Sequence, residues 1–98
     1  MNNFDISLLI PVFNCEQYVE RAIRSALQNK ILSQNLEIVV VDDCSTDQTP
    51  KILKKFARKV KIINHSKNLG LPSALNTGIL ESSGQFIVRL DADDFIIS

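Results

Sequence analysis

The sequence predicts a three-layer α/β/α protein with a parallel, Rossmann-like sheet. Four short apolar runs alternate with three segments whose apolar residues recur at helical spacing. Strands and helices that alternate in this way are typical of parallel pairing through right-handed crossovers. Polar clusters follow several of the apolar runs, and an open parallel sheet binds its ligand outside the carboxyl ends of its strands. A chain of 98 residues has room for one small domain.

The first strand and helix are predicted from residues 6 to 27. Ile6 to Val12 is an almost continuous apolar run, as expected for a strand that is buried on both faces. Asn14 stands three residues before Gln17, which is the spacing of a capping box and predicts a helix start. The apolar face of this helix is predicted to contain Val19, Ala22, Ile23, Ala26 and Leu27.

The second strand is predicted at Leu36 to Val41, where β-branched residues dominate. A polar turn follows at residues 42–47. The second helix is predicted to start near Ser45 to Asp47, because Pro50 is then tolerated in its first turn. Its buried face is predicted to contain Ile52, Leu53, Phe56, Ala57 and Val60.

The last predicted elements are a strand, a helix and a further strand. Lys61 to Asn64 forms a short strand, and Asn68 to Gly70 turns the chain. Gly84 suits the end of the third helix, and Phe86 to Leu90 forms the fourth strand. The apolar stripe of the third helix is predicted to contain Leu71, Ala74, Leu75, Gly78 and Ile79.

The composition argues against some function classes. Eleven basic and eleven acidic residues give a net charge of zero, which argues against a nucleic-acid-binding surface. The sequence contains neither a membrane-spanning run nor a secretory signal, so we expect a cytoplasmic protein with reduced Cys15 and Cys44. The basic residues around the second helix are expected to form a solvated face. Peripheral attachment to the inner face of the membrane stays open for the full-length protein.

The strongest functional pattern is the acidic run Asp91-Ala92-Asp93-Asp94, which directly follows the fourth predicted strand. Two unit charges ~4 Å apart repel by roughly 4 kcal/mol at an effective dielectric of ~20, so neighbouring carboxylates favour a cation or solvent between them. Mg²⁺ and Mn²⁺ often bind one or two carboxylates together with substrate phosphates. Taken alone, this run is equally compatible with a polar turn and a helix N-cap.

Two further polar clusters follow the first two predicted strands. Asp42 and Asp43 come after the second strand, and the first carboxylate could accept a hydrogen bond from a nucleobase. Pro11 frees a backbone carbonyl at the end of the first strand, and Phe13 offers an apolar face to a base or ribose. The helix start at Asn14 could help to hold an anion. Each residue alone also fits a turn, a core aromatic or an N-cap.

Four segments, in this order and at this spacing, resemble the N-terminal half of family 2 glycosyltransferases with the GT-A fold: IPVFN, IVVVDDCSTDQT, NLGLPSALNTGI and GQFIVRLDADD. The resemblance runs from about Ser7 to Asp94. It implies an inverting transferase that uses a UDP- or GDP-sugar donor and Mn²⁺ or Mg²⁺. The acceptor in the full enzyme would be a saccharide or a lipid-linked saccharide.

The resemblance also implies how far the machinery extends. In the family, the general base lies well beyond the acidic motif, so it is expected beyond Ser98. Residues 1–98 would then be the donor-binding portion of the catalytic domain, truncated after the acidic motif and inactive alone. The apolar end of the chain, without a cap or tail, agrees with this expectation.

The resemblance implies contacts to the base and ribose of the donor. Pro11 and Phe13 would contact them, with Glu16 nearby, and Asp42 would recognise the base. Cys44 stands where many relatives have glycine, and a positive φ there costs a cysteine more than a glycine. No metal or redox role is assigned to the cysteines, which are expected to be small buried thiols.

At the diphosphate end, the resemblance implies that Asp91 lies by the ribose or sugar. Asp93 would ligate the metal that bridges the two phosphates. Leu75 stands where many relatives have an arginine that touches the donor. Because Leu75 fits the apolar stripe of the third helix, we assign it to the core.

Two alternatives to a transferase stay open. One is a nucleotide- or metal-binding module without transferase activity. The other is a receiver-type signalling domain, which is disfavoured because its acid pair follows the first strand. His65 is predicted to be a solvated loop residue. The apolar fourth strand is expected to leave an open sheet edge, which predicts a homo-oligomer through that strand.

Overall fold

The computed structural model describes residues 4–32 and 35–93, and these form four strands and three helices. The strands are β1 (Ile6–Val12), β2 (Leu36–Asp42), β3 (Lys61–Asn64) and β4 (Phe86–Arg89). The helices are α1 (Val19–Leu32), α2 (Thr49–Lys54) and α3 (Leu71–Glu81). Asp94 of the predicted acidic motif lies outside the described residues. The expectation that residues 1–98 form one donor-binding portion stays a prediction.

The four strands form one parallel sheet in the order β3-β2-β1-β4. This order confirms the predicted Rossmann-like sheet, with its reversal between β1 and β4. It also excludes the receiver alternative, because a receiver sheet places the first strand between the second and the third. Here β3 pairs with β2 instead.

Two hydrophobic clusters cover the two faces of the sheet and create the three layers. Because alternate side chains of a strand point to opposite faces, Leu8 and Ile10 pack with α1 and α2 while Leu9 packs with α3. Ile23 of α1 and Leu53 of α2 belong to the first cluster and are buried. Both faces of β1 and β2 are therefore covered, which explains their continuous apolar sequences.

The predicted start of the first helix is wrong. Helix α1 begins at Val19, five residues after the Asn14 that was expected to cap it. Asn14 has a φ of 50°, a left-handed conformation that asparagine tolerates better than most residues. Its side chain does not cap α1 but binds the loop that follows β2, as described below.

The second helix is shorter than predicted. Helix α2 begins at Thr49 with Pro50 in its first turn and ends at Lys54. The chain continues through turns to β3. Phe56 and Val60 lie in these turns, and their side chains are buried. Ala57 is exposed, so its predicted place on a buried helical face is wrong.

The stripe of α3 is only partly buried. Ala74 and Gly78 are buried, whereas Leu71 and Ile79 are half exposed. Gly84 does not end α3, since the helix ends at Glu81 with Ser82 as its C-cap. Gly84 instead lies against β1, where an added Cβ would lie 2.5 Å from the backbone nitrogen of Ser7. Close backbone approach, not a helix cap, explains this glycine.

Strand β4 is an edge of the described sheet and ends at Arg89, one residue before the prediction. Phe86 is 68% exposed, and Ile87 and Val88 are close to half exposed. The edge is thus apolar and open within the described residues, while self-association through it stays a prediction. None of the described helices is both long enough and apolar enough to span a bilayer.

Candidate functional site at the carboxyl edge of the sheet

Residues from three loops meet at the carboxyl edge of the sheet. The β1–α1 loop follows Val12, the β2–α2 loop follows Asp42, and the acidic motif follows Arg89. Because β1 neighbours both β2 and β4, these loops converge around the end of β1. Four of the predicted site residues, Pro11, Phe13, Asp91 and Asp93, line cavities at this edge.

A first cavity of about 370 Å³ lies between the end of β1 and the start of α3. We call it the Phe13 cavity, and it is lined by Pro11, Val12, Phe13, Asp43, Asn68, Gly70, Leu71 and Ala74. Phe13 is 45% exposed, so its ring is not an ordinary core aromatic. Most of the lining is apolar, which suits the flat face of a base or a ribose.

A second cavity of about 430 Å³ lies on the β4 side of the same strand end. We call it the Asp93 cavity, and it is lined by Pro11, Asn14, Cys15, Tyr18, Leu71, Arg89, Asp91, Ala92 and Asp93. Pro11 and Leu71 line both cavities, so the two spaces adjoin. The second space lies where strand order reverses, the usual position for ligands in open parallel sheets.

Two predicted donor contacts lie outside both linings. Asp42 is buried, and its Oδ1 accepts hydrogen bonds from the backbone N–H and the hydroxyl of Ser45. The backbone N–H of Glu16 donates to Asp47 Oδ2 at 3.2 Å, and the Glu16 side chain is exposed. Both residues lie at the predicted edge, but their roles towards a donor stay predictions.

The loops after β1 and β2 are bound together by hydrogen bonds between side chains of one loop and backbone groups of the other. Asn14 Oδ1 accepts hydrogen bonds from the backbone N–H groups of Thr46 and Asp47. In return, the backbone N–H of Asn14 donates to the Ser45 hydroxyl. The backbone N–H of Cys15 donates to the Thr49 hydroxyl at 3.0 Å. Asn14 is thus a link between loops and not a helix cap.

Asp47 reinforces this link. Its two oxygens accept hydrogen bonds from the backbone N–H groups of Thr49 and Glu16. Burial alone raises the pKa of the Asp47 carboxyl, but the hydrogen bonds from Thr49 and Glu16 outweigh it and hold the pKa below its usual range. Asp47 therefore stays ionised where the two loops meet.

His65 was predicted to be solvated, and this prediction is wrong. Its side chain is 8% exposed and lies between Asp43 and Thr77, with one ring nitrogen 2.8 Å from each. The pairing of β2 with β3 explains why His65 lies against Asp43. Asp42 pairs with Asn64, so the next residue on each strand, Asp43 and His65, also come together.

The pKa of the Cys15 thiol reflects the negative charge around the Asp93 cavity. Burial raises the pKa of the Cys15 thiol. The negative charges of Asp47, Asp93 and Asp42 raise the pKa further, so all three carboxylates lie within electrostatic reach of one sulfur atom. Asp42 pairs with Val12 at the end of β1, and Pro11 at the same strand end lines the cavity that contains Asp93, so Asp42 and Asp93 lie at the same edge of the sheet.

The cysteines are less buried than predicted, because both are partly exposed free thiols. The Cys15 thiol contacts the carbonyl of Phe13, and the Cys44 thiol contacts that of Ser66. Cys44 has a φ of 64°, so the backbone at this position takes the conformation that favours glycine.

Arg89 and Asp91 form an ion pair in the Asp93 cavity. The guanidinium Nε and Nη2 lie 2.8 and 2.7 Å from Asp91 Oδ1. Among the described residues of this motif, Asp93 is the carboxylate that can face a cation without a competing arginine contact, because Arg89 pairs with Asp91.

The described residues can coordinate a cation only if a bound ligand, such as a diphosphate, supplies some of the coordinating oxygens. Within residues 4–32 and 35–93, no three His, Cys, Asp or Glu side chains are grouped so that they could hold a metal ion. Mg²⁺ and Mn²⁺ commonly bind through one or two carboxylates and complete their shell with phosphate oxygens and water. Asp93 in the wall of the cavity is compatible with that mode.

Comparisons with known proteins agree with this geometry. The chain is 40% identical over 94 residues to chondroitin synthase of Escherichia coli, covering 93% of the chain and 13% of that protein. It is 34% identical over 93 residues to the poly(ribitol-phosphate) β-N-acetylglucosaminyltransferase TarS of Staphylococcus aureus, covering 92% of the chain and 16% of TarS. The chain spans between 11% and 39% of the length of such relatives.

Two solved transferases share the fold. The structure of TarS 1–349 in complex with UDP aligns with a TM-score of 0.85 at 33% identity, covering 95% of this chain and 28% of that one. The mannosyltransferase PcManGT from Pyrobaculum calidifontis, in complex with GDP-Man and Mn²⁺, aligns with a TM-score of 0.87 at 25% identity, covering 96% and 29%. The sheet is therefore of the GT-A type. Because the profile described as glycosyl transferase family 2 matches residues 7–97, the chain belongs to that family.

Proposed function

We propose that this chain binds the nucleotide-sugar donor of a metal-dependent, inverting glycosyltransferase. The observation that carries the proposal is the pair of adjoining cavities at the end of β1. One is mostly apolar and contains Phe13, and the other contains Asp91 and Asp93. A nucleotide-diphospho-sugar has the same two parts, a flat base with its ribose and an anionic diphosphate.

On this proposal, the base and ribose pack against Pro11 and Phe13 in the Phe13 cavity, with Asp42 and Glu16 nearby. The diphosphate lies in the Asp93 cavity, where Asp93 would hold Mn²⁺ or Mg²⁺ together with phosphate oxygens. When bound, the cation would supply Lewis-acid stabilisation of the charge that develops on the leaving diphosphate. Asp91 is held by Arg89 and faces the ribose or sugar.

The acceptor hydroxyl attacks the anomeric carbon in line, so the configuration inverts as the nucleoside diphosphate leaves. A carboxylate is expected to act as general base for that hydroxyl. We place this base beyond Ser98, and we therefore propose that residues 1–98 bind donor without turnover. The acceptor is proposed to be a saccharide or a lipid-linked saccharide, and the location to be cytoplasmic, with the inner face of the membrane as a site of peripheral attachment.

The ligands of the solved relatives support a nucleotide-diphosphate donor. TarS has been solved with UDP and with UDP-GlcNAc, and PcManGT with GDP-Man and Mn²⁺. Both proteins share the fold around the two cavities, so UDP and GDP are the appropriate probes for this chain. A role in cell-envelope polysaccharide synthesis is proposed on the resemblance to TarS and to the teichoic acid biosynthesis protein GgaB of Bacillus subtilis.

The test is calorimetric titration of the chain with UDP and with GDP, each with and without Mn²⁺. We expect Mn²⁺ to tighten the binding of at least one nucleotide. Asp93→Ala should remove that gain and leave the metal-free affinity within about threefold, because the base contacts remain. Glu81→Ala is the matched control, since it removes an exposed carboxylate on α3 away from both cavities.

Equal binding by wild type and Asp93→Ala in the presence of Mn²⁺ would overturn the metal assignment. The chain could bind nucleotide and metal as expected while the full-length protein neither hydrolyses the donor nor transfers its sugar. In that case the alternative of a non-catalytic nucleotide- and metal-binding module is correct instead.

A further inference from the structure

We propose that His65 is a positioning residue for the Phe13 cavity: it fixes the Asp43 carboxylate, which in turn holds the backbone of residues 65–70 as one wall of that cavity. The effect on nucleotide binding rests on the function proposed above. The positioning itself does not, because it concerns contacts within the chain.

The Asp43 carboxylate connects three segments that are distant in the sequence. Its Oδ1 accepts a hydrogen bond from the backbone N–H of Leu69 at 2.9 Å and lies 2.8 Å from His65 Nδ1. Its Oδ2 accepts from the backbone N–H of Gly70 at 2.8 Å. Asp43 is 4% exposed, so its charge is removed from water and depends on these donors.

The second nitrogen of His65 reaches helix α3. His65 Nε2 lies 2.8 Å from the Thr77 hydroxyl, two turns into the helix whose first residues line the cavity. The backbone N–H of His65 donates to the carbonyl of Asp42 at 2.9 Å, which continues the pairing of β2 and β3. The imidazole is thus held from the sheet, from the loop after β2 and from α3.

The hydrogen-bonding roles of the ring follow from its partners. A carboxylate only accepts, so Nδ1 must carry a proton and donate to Asp43. In the neutral imidazole, Nε2 is then the acceptor, and the Thr77 hydroxyl donates to it. Burial alone raises the pKa of the Asp43 carboxyl, but the hydrogen bonds from His65, Leu69 and Gly70 outweigh it and lower the pKa.

These contacts decide where the cavity wall lies. Gly70 has a φ of 94° and is the N-cap residue of α3, and a glycine has no side chain that could cap the helix. The Asp43 carboxylate accepts hydrogen bonds from the backbone N–H groups of Leu69 and Gly70. It also lines the cavity, together with Asn68 and Leu71. A rotated Asp43 side chain would release Leu69 and Gly70 and change the width of the space proposed for the base.

Two amide substitutions separate the two ends of the ring. The asparagine side chain can place its NH₂ group near the position of Nδ1, whereas the longer glutamine side chain reaches towards the position of Nε2. His65→Asn should keep the bond to Asp43 and lose the bond to Thr77. His65→Gln should do the reverse. Thr77→Val is the matched control, because it removes the partner of Nε2 and leaves Asp43 in place.

Amide hydrogen exchange tests the positioning without any ligand. In His65→Gln we expect the Leu69 and Gly70 amides to exchange at least about tenfold faster than in wild type, as the loss of a hydrogen bond to a charged group implies. In His65→Asn and Thr77→Val, the same amides should stay within about threefold of wild type. Far-UV circular dichroism confirms that each variant is folded.

Nucleotide affinity tests the consequence for the cavity. His65→Gln should weaken UDP or GDP binding about tenfold, and His65→Asn should restore it to within about threefold of wild type. Equal exchange and equal affinity in the two His65 variants would overturn the proposal. Loss of amide protection and of nucleotide affinity in Thr77→Val alone would also overturn it. If the exchange pattern appears but wild type binds neither nucleotide, the positioning stands and the proposed function fails.

Discussion

The side-chain oxygen of Asn14 lies 2.7 Å from the backbone nitrogen of Thr46, and this hydrogen bond joins the loop after β1 to the loop after β2. The residues are 32 positions apart in the sequence but lie at the ends of neighbouring parallel strands. Asn14 fits the position for two reasons. It supplies the acceptor, and it tolerates the φ of 50° that aims the acceptor at the loop.

Replacement of Asn14 should loosen this connection. We expect Asn14→Ala to lower the free energy of unfolding by about 1–2 kcal/mol, because two backbone N–H groups lose their acceptor and alanine is strained at positive φ. Asn14→Asp keeps the acceptor and should lower the free energy of unfolding by less than Asn14→Ala does. Urea unfolding measures the effect, with Gln28→Ala, an exposed amide on α1, as control. An Asn14→Ala chain as stable as the control would contradict the structural role.

Glu37 is expected to stabilise the opposite, amino edge of the sheet. Its buried carboxylate accepts hydrogen bonds from the Ser7 hydroxyl at 2.7 Å and from the backbone N–H of Ser83 at 2.9 Å. Ser7 in turn accepts from the backbone N–H of Gly84. These bonds attach the chain after α3 to β1 and β2.

Glu37→Gln should lower the free energy of unfolding by roughly 2 kcal/mol, because an amide replaces a charged acceptor and presents its NH₂ to other donors. The measurement is urea unfolding at neutral pH. Glu81→Gln is the matched control, since its partly exposed pair with Lys61 at 4.0 Å should contribute under about 1 kcal/mol. Similar losses in both variants would show that the Glu37 network contributes little.

Asp43 should make the stability of the chain depend on pH in the acid range. Because its folded pKa lies below the ordinary value of 3.8, its contribution is fully present above that value and is lost as the pH falls through the folded pKa. Asp47 acts in the same direction. Between about pH 5 and about pH 2, wild type should lose more free energy of unfolding than Asp43→Asn does. Urea midpoints across this range provide the check, and parallel curves for the two chains would contradict it.

The open edge of β4 should make the 98-residue chain self-associate. Among the described residues, no strand pairs with the outer side of β4, and its backbone groups beside exposed Phe86 and Val88 offer a surface for another strand. Val88→Lys should shift the chain towards monomer in light scattering at high concentration, since a lysine on an edge strand opposes pairing. Leu80→Lys adds the same charge at an exposed apolar residue of α3 and should leave association unchanged. A wild-type chain that stays monomeric would show that the edge does not recruit a second copy.

The strands and the positions of the polar clusters could be predicted because their signals are local. The apolar runs predicted as strands at Ile6 to Val12 and Leu36 to Val41 are strands covered on both faces, and the second extends one residue further, to Asp42. The family resemblance is likewise carried by short segments. Helix starts were harder to predict, because the capping spacing at Asn14 resembles a local signal while the side chain serves a distant loop.

The candidate site required the tertiary structure wherever a side chain serves a partner far along the chain. His65 has no apolar neighbours or motif that mark it, and only the pairing of β3 with β2 brings it against Asp43. The Arg89 pair with Asp91 spans two residues, yet the sequence could not show that both line the same cavity. In each case the strand order decides which charges meet.

The sequence by itself determined the alternation of strands and helices, the family, and the edge of the sheet where polar residues gather, because each depends on patterns within short stretches of chain. Only the tertiary structure decided which of these residues share a cavity, which carboxylates are already neutralised, and that His65 is buried. These properties depend on distances between loops, and those distances are fixed when β1 packs between β2 and β4.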